Sequence, residues 1–417
     1  MDANTEQRLG GIVRREAAFA FIFATILLDM LAIGIVIPVL PKLVVDFVGG
    51  NAEQGAKMFG LFGTAWALMQ FAFSPLQGAL SDRFGRRVVI LISNFGVGLD
   101  YIFMAVAPTL AWLFVGRILS GITAASISTA YAYVADVTPQ DKRAARFGLL
   151  GAAFGFGFVL GPALGGLAGS VSPRLPFWIA AGLSLANACY GLAILPESLP
   201  AGQRAPFTWR RANPFGALAL LRSRRGLLGL AGVVFLSQLA HAVLPSVTVL
   251  YMLYRYGFDQ RTVGLTMAGV GVASIIVQGF VVGPVIKFIG ERRALILGIA
   301  FGVLGFCLLA SAPTGAAFWA GIPLLALWGL EDPACMALMS RLVDASEQGR
   351  LQGANASLTG IANLFGPGLF TQVFAYAIGA GAAWQIPGAP FLIASLLLVF
   401  GGVLAWRVAQ ESITQAA

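Results

Sequence analysis

The chain alternates long apolar stretches with short polar interruptions rich in Arg, Lys, Pro and Gly. A helix that crosses a bilayer needs about 20 mostly apolar residues. Read this way, the pattern predicts twelve spans, at residues 17–40, 56–80, 88–108, 109–134, 146–169, 175–195, 226–252, 262–286, 294–312, 315–340, 351–378 and 385–406. The first run follows Arg14 and Arg15, but it is too long for a signal peptide and lacks a clear small-residue cleavage site. It reads as a retained first span. The longest polar interruption, 196–225, sets Arg204, Arg210, Arg211, Arg222, Arg224 and Arg225 against Glu197 alone. It divides the chain into an N-terminal six-helix bundle (1–195), a basic cytoplasmic linker (196–225) and a C-terminal six-helix bundle (226–417).

Composition sharpens this. Charged residues are 11% of the chain and its mean hydropathy is +0.83, whereas soluble proteins carry about 25% charge. The 52 glycines and 20 prolines suit membrane helices, where both residue types are frequent. Cys189, Cys307 and Cys335 lie in apolar runs and read as small core residues, not as a disulfide framework or thiolate metal site. One histidine, His241, excludes a two-histidine zinc motif, and no nucleophile elbow or phosphate-loop lysine accompanies it. Neither an enzyme nor a bound metal or cofactor is expected. The net charge of +9 suggests nucleic acid only until the basic residues are sorted by side. With the N-terminus inside, Arg83, Arg86, Arg87, Lys142, Arg143, Arg292, Arg293 and most others fall in the cytoplasm, while Lys42, Lys57, Arg174, Arg255 and Arg261 face outward. The positive-inside rule then places both termini in the cytoplasm and leaves no need for nucleic acid.

An internal repeat supports two halves. Gly78-Ala-Leu-Ser-Asp82-Arg83-Phe-Gly85-Arg86-Arg87 follows the second span, and Gly283-Pro-Val-Ile-Lys287-Phe-Ile-Gly290-Glu291-Arg292-Arg293 follows the eighth. Glycines recur at the same offsets, while Asp82 is answered by Lys287 and Arg86 by Glu291. Paired six-helix halves imply alternating access. The first copy resembles the loop signature of the major facilitator superfamily. Arg117-Ile-Leu-Ser-Gly121 in span four is similar to that family's embedded arginine motif, and Gly157-Phe-Val-Leu-Gly161-Pro162-Ala-Leu-Gly165-Gly166 in span five to the motif of its antiporters. The resemblance implies an all-α integral membrane protein with the 12-helix major facilitator fold, built from two pseudo-symmetric six-helix bundles. Leu28 to Pro41, Ala67 to Gln70 and Asp100-Tyr101 further resemble bacterial tetracycline/proton antiporters. The second half departs from that group, with Ser274 in place of its histidine in span eight and Gly302 in place of its acid in span nine.

Asp29 lies near the middle of its span, where a charge costs about 3 kcal/mol on insertion scales. It is a candidate proton and substrate group, with a hydrogen-bonded structural carboxyl as the plain alternative. Asp100 has a similar depth. Arg117 is the basic residue placed well inside a span and must pair with a carboxylate, either switching partners or fixed. Glu331-Asp332-Pro333 interrupts span ten, and either acid can replace the one missing from span nine. The other reading is a broken helix whose acids bond to its neighbours. His241 can carry a proton or sit as a satisfied core histidine, and Gln70 can offer substrate a neutral hydrogen bond. The segment Gly78, Asp82, Arg83, Gly85, Arg86 and Arg87 reads as a cytoplasmic lock: Asp82 against a helix start, Arg86 against Asp136. Gly157, Gly161, Gly165 and Gly166 allow close helix approach, and Pro162 a bend.

These readings converge on a secondary active exporter of hydrophobic or amphipathic compounds, driven by proton antiport and acting as a monomer in the cytoplasmic (inner) membrane. Its partners are a small lipophilic substrate, protons and the bilayer. Tetracycline, as a chelate with a divalent metal, is one substrate that the resemblance supplies. An endogenous metabolite or lipid, or a sensor of the same fold that does not transport, are the alternatives.

Overall fold

The computed structural model describes residues 3–123, 126–139, 142–200, 202, 204, 216–223, 225–344 and 347–414, and among these it is helical with no strand. Arg210, Arg211 and Arg224 of the predicted linker lie outside the described residues. The helices are α1 (Ala3–Val36), α2 (Leu40–Phe47), α3 (Ala52–Phe84), α4 (Arg86–Val106), α5 (Leu110–Thr123), α6 (Ser126–Val137), α7 (Arg143–Val171), α8 (Leu175–Ile194) and α9 (Arg225–His241). They continue with α10 (Val243–Tyr256), α11 (Gln260–Ile276), α12 (Val282–Ile289), α13 (Glu291–Ser311), α14 (Gly315–Ala320), α15 (Ile322–Trp328), α16 (Glu331–Arg341), α17 (Gln348–Ile378) and α18 (Ala389–Thr414). Among the described residues, 11 helical stretches are long and apolar enough to cross a membrane, and the shorter apolar α5 stands where the fourth span was predicted. Large side chains cover the outer faces without burial, Phe288 being 90% exposed. Hydrocarbon tails, unlike water, solvate such surfaces at no cost.

The chain separates into two compact units, one of Met1–Val39 with Leu68–Asn213, the other of Leu40–Ala67 with Pro214–Ala417. In the first, α1 lies along α7 with backbones almost touching. A Cβ at Gly161 would stand 2.6 Å from Gly34 Cα, and one at Gly157 would stand 2.5 Å from Met30 Cβ. Gly165 is closed off by the backbone of Ile35, Gly166 is buried, and α7 continues through Pro162. Phe21, Ile22, Ile26, Ile90, Tyr133 and Val134 fill the core beside this seam. At its far end, Arg174 Nη1 and Nη2 donate to the carbonyls of Ala105 and Ala107, each at 3.0 Å. A cation thus meets the negative end of α4.

The second unit is centred on Tyr251, whose ring meets Phe391 edge-on at 5.1 Å and Phe374 at 6.4 Å, while its hydroxyl donates to Leu309 O at 3.3 Å. Several predicted spans are broken helices. The first ends at Val36, before Pro38, and resumes as α2; the seventh breaks at Ala242; the tenth is divided into α14, α15 and α16. Pro333 falls in the opening turn of α16, where its missing N–H leaves no ladder bond unmade. A π-helical turn, Val277–Val281, joins α11 to α12. The reading of three core cysteines is corrected: Cys335 is buried, but Cys189 and Cys307 lie exposed on their helices, because an apolar run supplies a lipid face as well as a core face.

Candidate functional site

In the first unit, Asp29 is 9% exposed on α1. Asn187 on α8 ties it to the preceding turn: Thr25 Oγ1 donates to Asn187 Oδ1 at 3.1 Å, and Asn187 Nδ2 donates to Asp29 Oδ1 at 3.5 Å. Asp100 is 3% exposed on α4, with Arg117 and Ser120 of α5 close enough to act on it. Gly116 makes room for the carboxylate, since a Cβ there would stand 3.2 Å from Asp100 Oδ1. Tyr101, next to Asp100 on α4, is buried as well, and the three charges predicted one at a time, Asp29, Asp100 and Arg117, all lie in the first unit. Gln70 is half-buried on α3 in the same unit.

In the second unit, Glu331 opens α16 and is 5% exposed, and Ser237 Oγ on α9 donates to its Oε2 at 2.7 Å. His241, one turn along α9, sets its ring 5.6 Å from that of Trp328, tilted by 44°. Asp332 and His241 are exposed, so the adjacent acids have opposite environments. Two glycines of α13, one turn apart, create the seat. A Cβ at Gly298 would stand 2.7 Å from the backbone N of Glu331, and one at Gly302 would stand 2.9 Å from Trp328 Cγ. Where the resemblance expects an acid on span nine, the structure has Gly302, whose open side is filled by Leu398 and the Trp328 ring, while the turn that carries Glu331 fills Gly298. Among the described residues, no group of three or more His, Cys, Asp or Glu is placed to hold a metal ion.

The loop after α3 builds a third cluster. Gly85 takes φ 107°, a backbone conformation that other residues rarely adopt. Arg86 Nη1 contacts Asp82 Oδ1 at 2.6 Å and donates to Ser81 Oγ at 2.6 Å, while its Nε contacts Asp136 Oδ2 at 3.3 Å. The expected pair with Asp136 is present. The anion at the start of α4 is Glu197, which sequence reading passed over: its Oε1 accepts from Arg86 N at 2.8 Å. The same oxygen accepts from Ser198 N at 3.0 Å and Leu199 N at 3.1 Å. Asp82 has Arg86 as its ion-pair partner within the unit. Arg83 lies over the Phe84 ring at 5.2 Å, Arg87 Nη2 donates to Leu192 O at 2.9 Å, and Gly78 borders open space. Asn187, Ser237 and the role of Glu197 escaped the sequence reading, although a lone Asn inside an apolar span and the single acid of a basic segment were signals for two of them.

Comparison with known proteins places these clusters in context. The family model described as Major Facilitator Superfamily matches residues 22–330 and 230–415. The chain is 40% identical over 381 residues to the tetracycline resistance protein, class C, of Escherichia coli, covering 90% of this chain and 95% of that protein. It is also 40% identical over 360 residues to the class G protein of Vibrio anguillarum, covering 86% and 90%. Among solved structures, the human organic anion transporter MFSD10 (TETRAN) superposes with a TM-score of 0.69 at 25% identity, covering 94% of this chain and 99% of that one. A family match across nearly the whole chain, joined to buried charges in apolar helices and a repeated glycine-bearing loop, makes this chain a member of the major facilitator superfamily and a multi-pass membrane transporter rather than an enzyme.

Proposed function

We propose that the protein is a secondary active exporter of hydrophobic or amphipathic compounds, tetracyclines among them, that exchanges its substrate for protons by alternating access. The observation that carries this reading is the burial of two carboxyls in apolar helices of the first unit, Asp29 on α1 and Asp100 on α4, 9% and 3% exposed. Charges cost too much inside a membrane to be kept in a bundle that only holds its shape. Asp29, bonded through Asn187, and Glu331, bonded to Ser237, are the proton-exchanging carboxyls. Arg117 answers Asp100 and is released from it as protonation changes. Asp332, His241 and Gln70 meet the substrate. The Gly78–Arg87 segment closes the cytoplasmic side through Asp136, and the α7 glycines are the bearing on which α1 moves.

No resident cofactor is needed. Each charge moved inward yields about 2.3 kcal/mol per 100 mV, or roughly fortyfold accumulation at equilibrium. A divalent metal enters only as part of a chelated substrate. The termini lie on the cytoplasmic side of the inner membrane, and one chain suffices. The test is proton release from acid-loaded everted vesicles on addition of tetracyclines and chemically unrelated lipophilic drugs. Release by wild type that Asp29→Asn abolishes supports the reading. A wild type that moves substrate without protons, or moves none, overturns it.

A further inference from the structure

On the outer surface of the second unit, α13 and α18 leave an open trough of about 580 Å³. Its floor comes from Ile299 and Val303 on α13 and from Leu398 and Gly402 on α18. The missing side chain at Gly402 holds it open: a Cβ there would already stand 3.3 Å from Ile299 Cγ2. The volume falls within the range of ligand pockets, about 300 to 1,000 Å³.

The wall chemistry changes at one end only. Every lining residue is apolar except Arg407, which follows Trp406 at the end of the trough formed by the last turns of α18. Indole rings concentrate at the membrane–water boundary, so Trp406 marks the headgroup level. The start of α13 lies at the same end, since Ile296 lines the trough with Arg407. Exposed Arg293 precedes Ile296 by three residues and therefore shares its helix face. Glu291, which would offset these cations, is ion-paired with Arg341. The result is an apolar slot that runs from hydrocarbon depth to the guanidiniums of Arg407 and Arg293, with Glu291 already ion-paired and Glu411 one turn further along α18.

We infer that this trough binds one chain of an anionic phospholipid, with the lipid phosphate held by Arg407 and Arg293. Guanidinium matches phosphate with paired donors, and each basic residue near a membrane surface favours an anionic lipid by about a factor of five. The site is separate from the transport clusters and stands whatever the transported substrate is.

The test uses full-length protein in detergent with equal phosphatidylglycerol and phosphatidylethanolamine, and counts retained lipid by native mass spectrometry. Wild type is expected to retain phosphatidylglycerol at least about tenfold over phosphatidylethanolamine. Arg407→Gln and Arg293→Gln should each reduce that preference about fivefold, while Arg350→Gln, an equal loss of charge elsewhere, leaves it intact. Gly402→Leu fills the trough and removes both lipids. Should that variant fail to fold, brominated-chain phosphatidylglycerol replaces it as the probe. The part of the fluorescence lost in Trp406→Phe should then be quenched by it more than by brominated phosphatidylethanolamine. Equal retention of the two lipids by wild type, unchanged preference in both arginine variants, or equal quenching overturns the inference.

Discussion

The two halves of the chain carry the same loop with opposite polarity. Gly85 and Gly290 both take positive φ, 107° and 81°, and each immediately precedes the next helix. After Gly85 comes Arg86, which reaches Asp136 at the end of α6; after Gly290 comes Glu291, which reaches Arg341 at the end of α16. The spacing and the partner helix match while the charges are exchanged. A turn geometry that requires glycine fixes the backbone, and the pair across it needs only opposite signs, not a given sign at a given place. The halves differ in depth as well. The Arg86 side chain is 13% exposed and has Asp82, Asp136 and Ser81 around it, whereas that of Arg341 is 68% exposed.

The largest effects separate the buried acids of the two halves. Asp29→Asn and Glu331→Gln should each reduce substrate-driven proton release to the level of vesicles without the protein. Asp332→Asn should keep proton release and change which substrates elicit it, as measured across a drug panel. If Asp332→Asn abolishes release and Glu331→Gln does not, the assignment within the pair is reversed. Next in size is the α1–α7 helix seam of the first unit. Gly161→Leu forces a side chain into the backbone of α1 and should cost about 3 kcal/mol in thermal unfolding, while Gly78→Ala, bordered by open space, should stay within about 0.5 kcal/mol.

The charge-exchanged pairs come third. Arg86→Glu should cost about 2 kcal/mol through its partly buried acids, whereas Arg341→Glu, being exposed, should cost under about 1 kcal/mol. Adding Asp136→Arg to Arg86→Glu should recover part of the loss, and its failure to do so would show that Glu197 and Asp82 dominate the loop. The smallest effect is at Asp259, the N-cap of α11, which accepts from Thr262 N at 2.8 Å. Asp259→Ala should cost about 1 kcal/mol. Hydrogen bonding from the Thr262 side chain, and then from its backbone N–H, holds the carboxyl below its ordinary range. The contribution is therefore complete above the unfolded pKa near 4 and disappears as pH falls through the lower folded value. An unfolding series from pH 7 to pH 3 that shows no difference between wild type and variant would exclude it.

Much of this was legible in the residue order. Apolar runs marked the spans because a bilayer has a fixed thickness, and the loop glycines were findable because they recur at equal offsets. The Arg86–Asp136 pair followed from placing two charges at the same membrane side. What escaped depended on single helix faces. Whether Glu331 or Asp332 is enclosed is decided by the turn at Gly329 and Leu330, which periodicity does not register. Asn187 gains its meaning from α1 packed across it, and Glu197 from a chain that folds back after α8. The apolar pattern runs through the break at Ala242, which is marked instead by Pro245 in the opening turn of α10, since proline cannot bond back to the His241 carbonyl.

The π-helical turn at Val277–Val281 alters how the two halves should be laid beside each other. Gln70 lies eight residues before Gly78, and the residue eight before Gly283 is Ile275. A π turn closes its bonds from i to i+5, so it holds one residue more than an α turn of the same place in the helix. Discounting that residue, the counterpart of Gln70 is Ser274, which is half-buried like Gln70. An apolar mismatch in the linear repeat thereby becomes two polar side chains at equivalent positions of their own helices, which were out of step only along the chain.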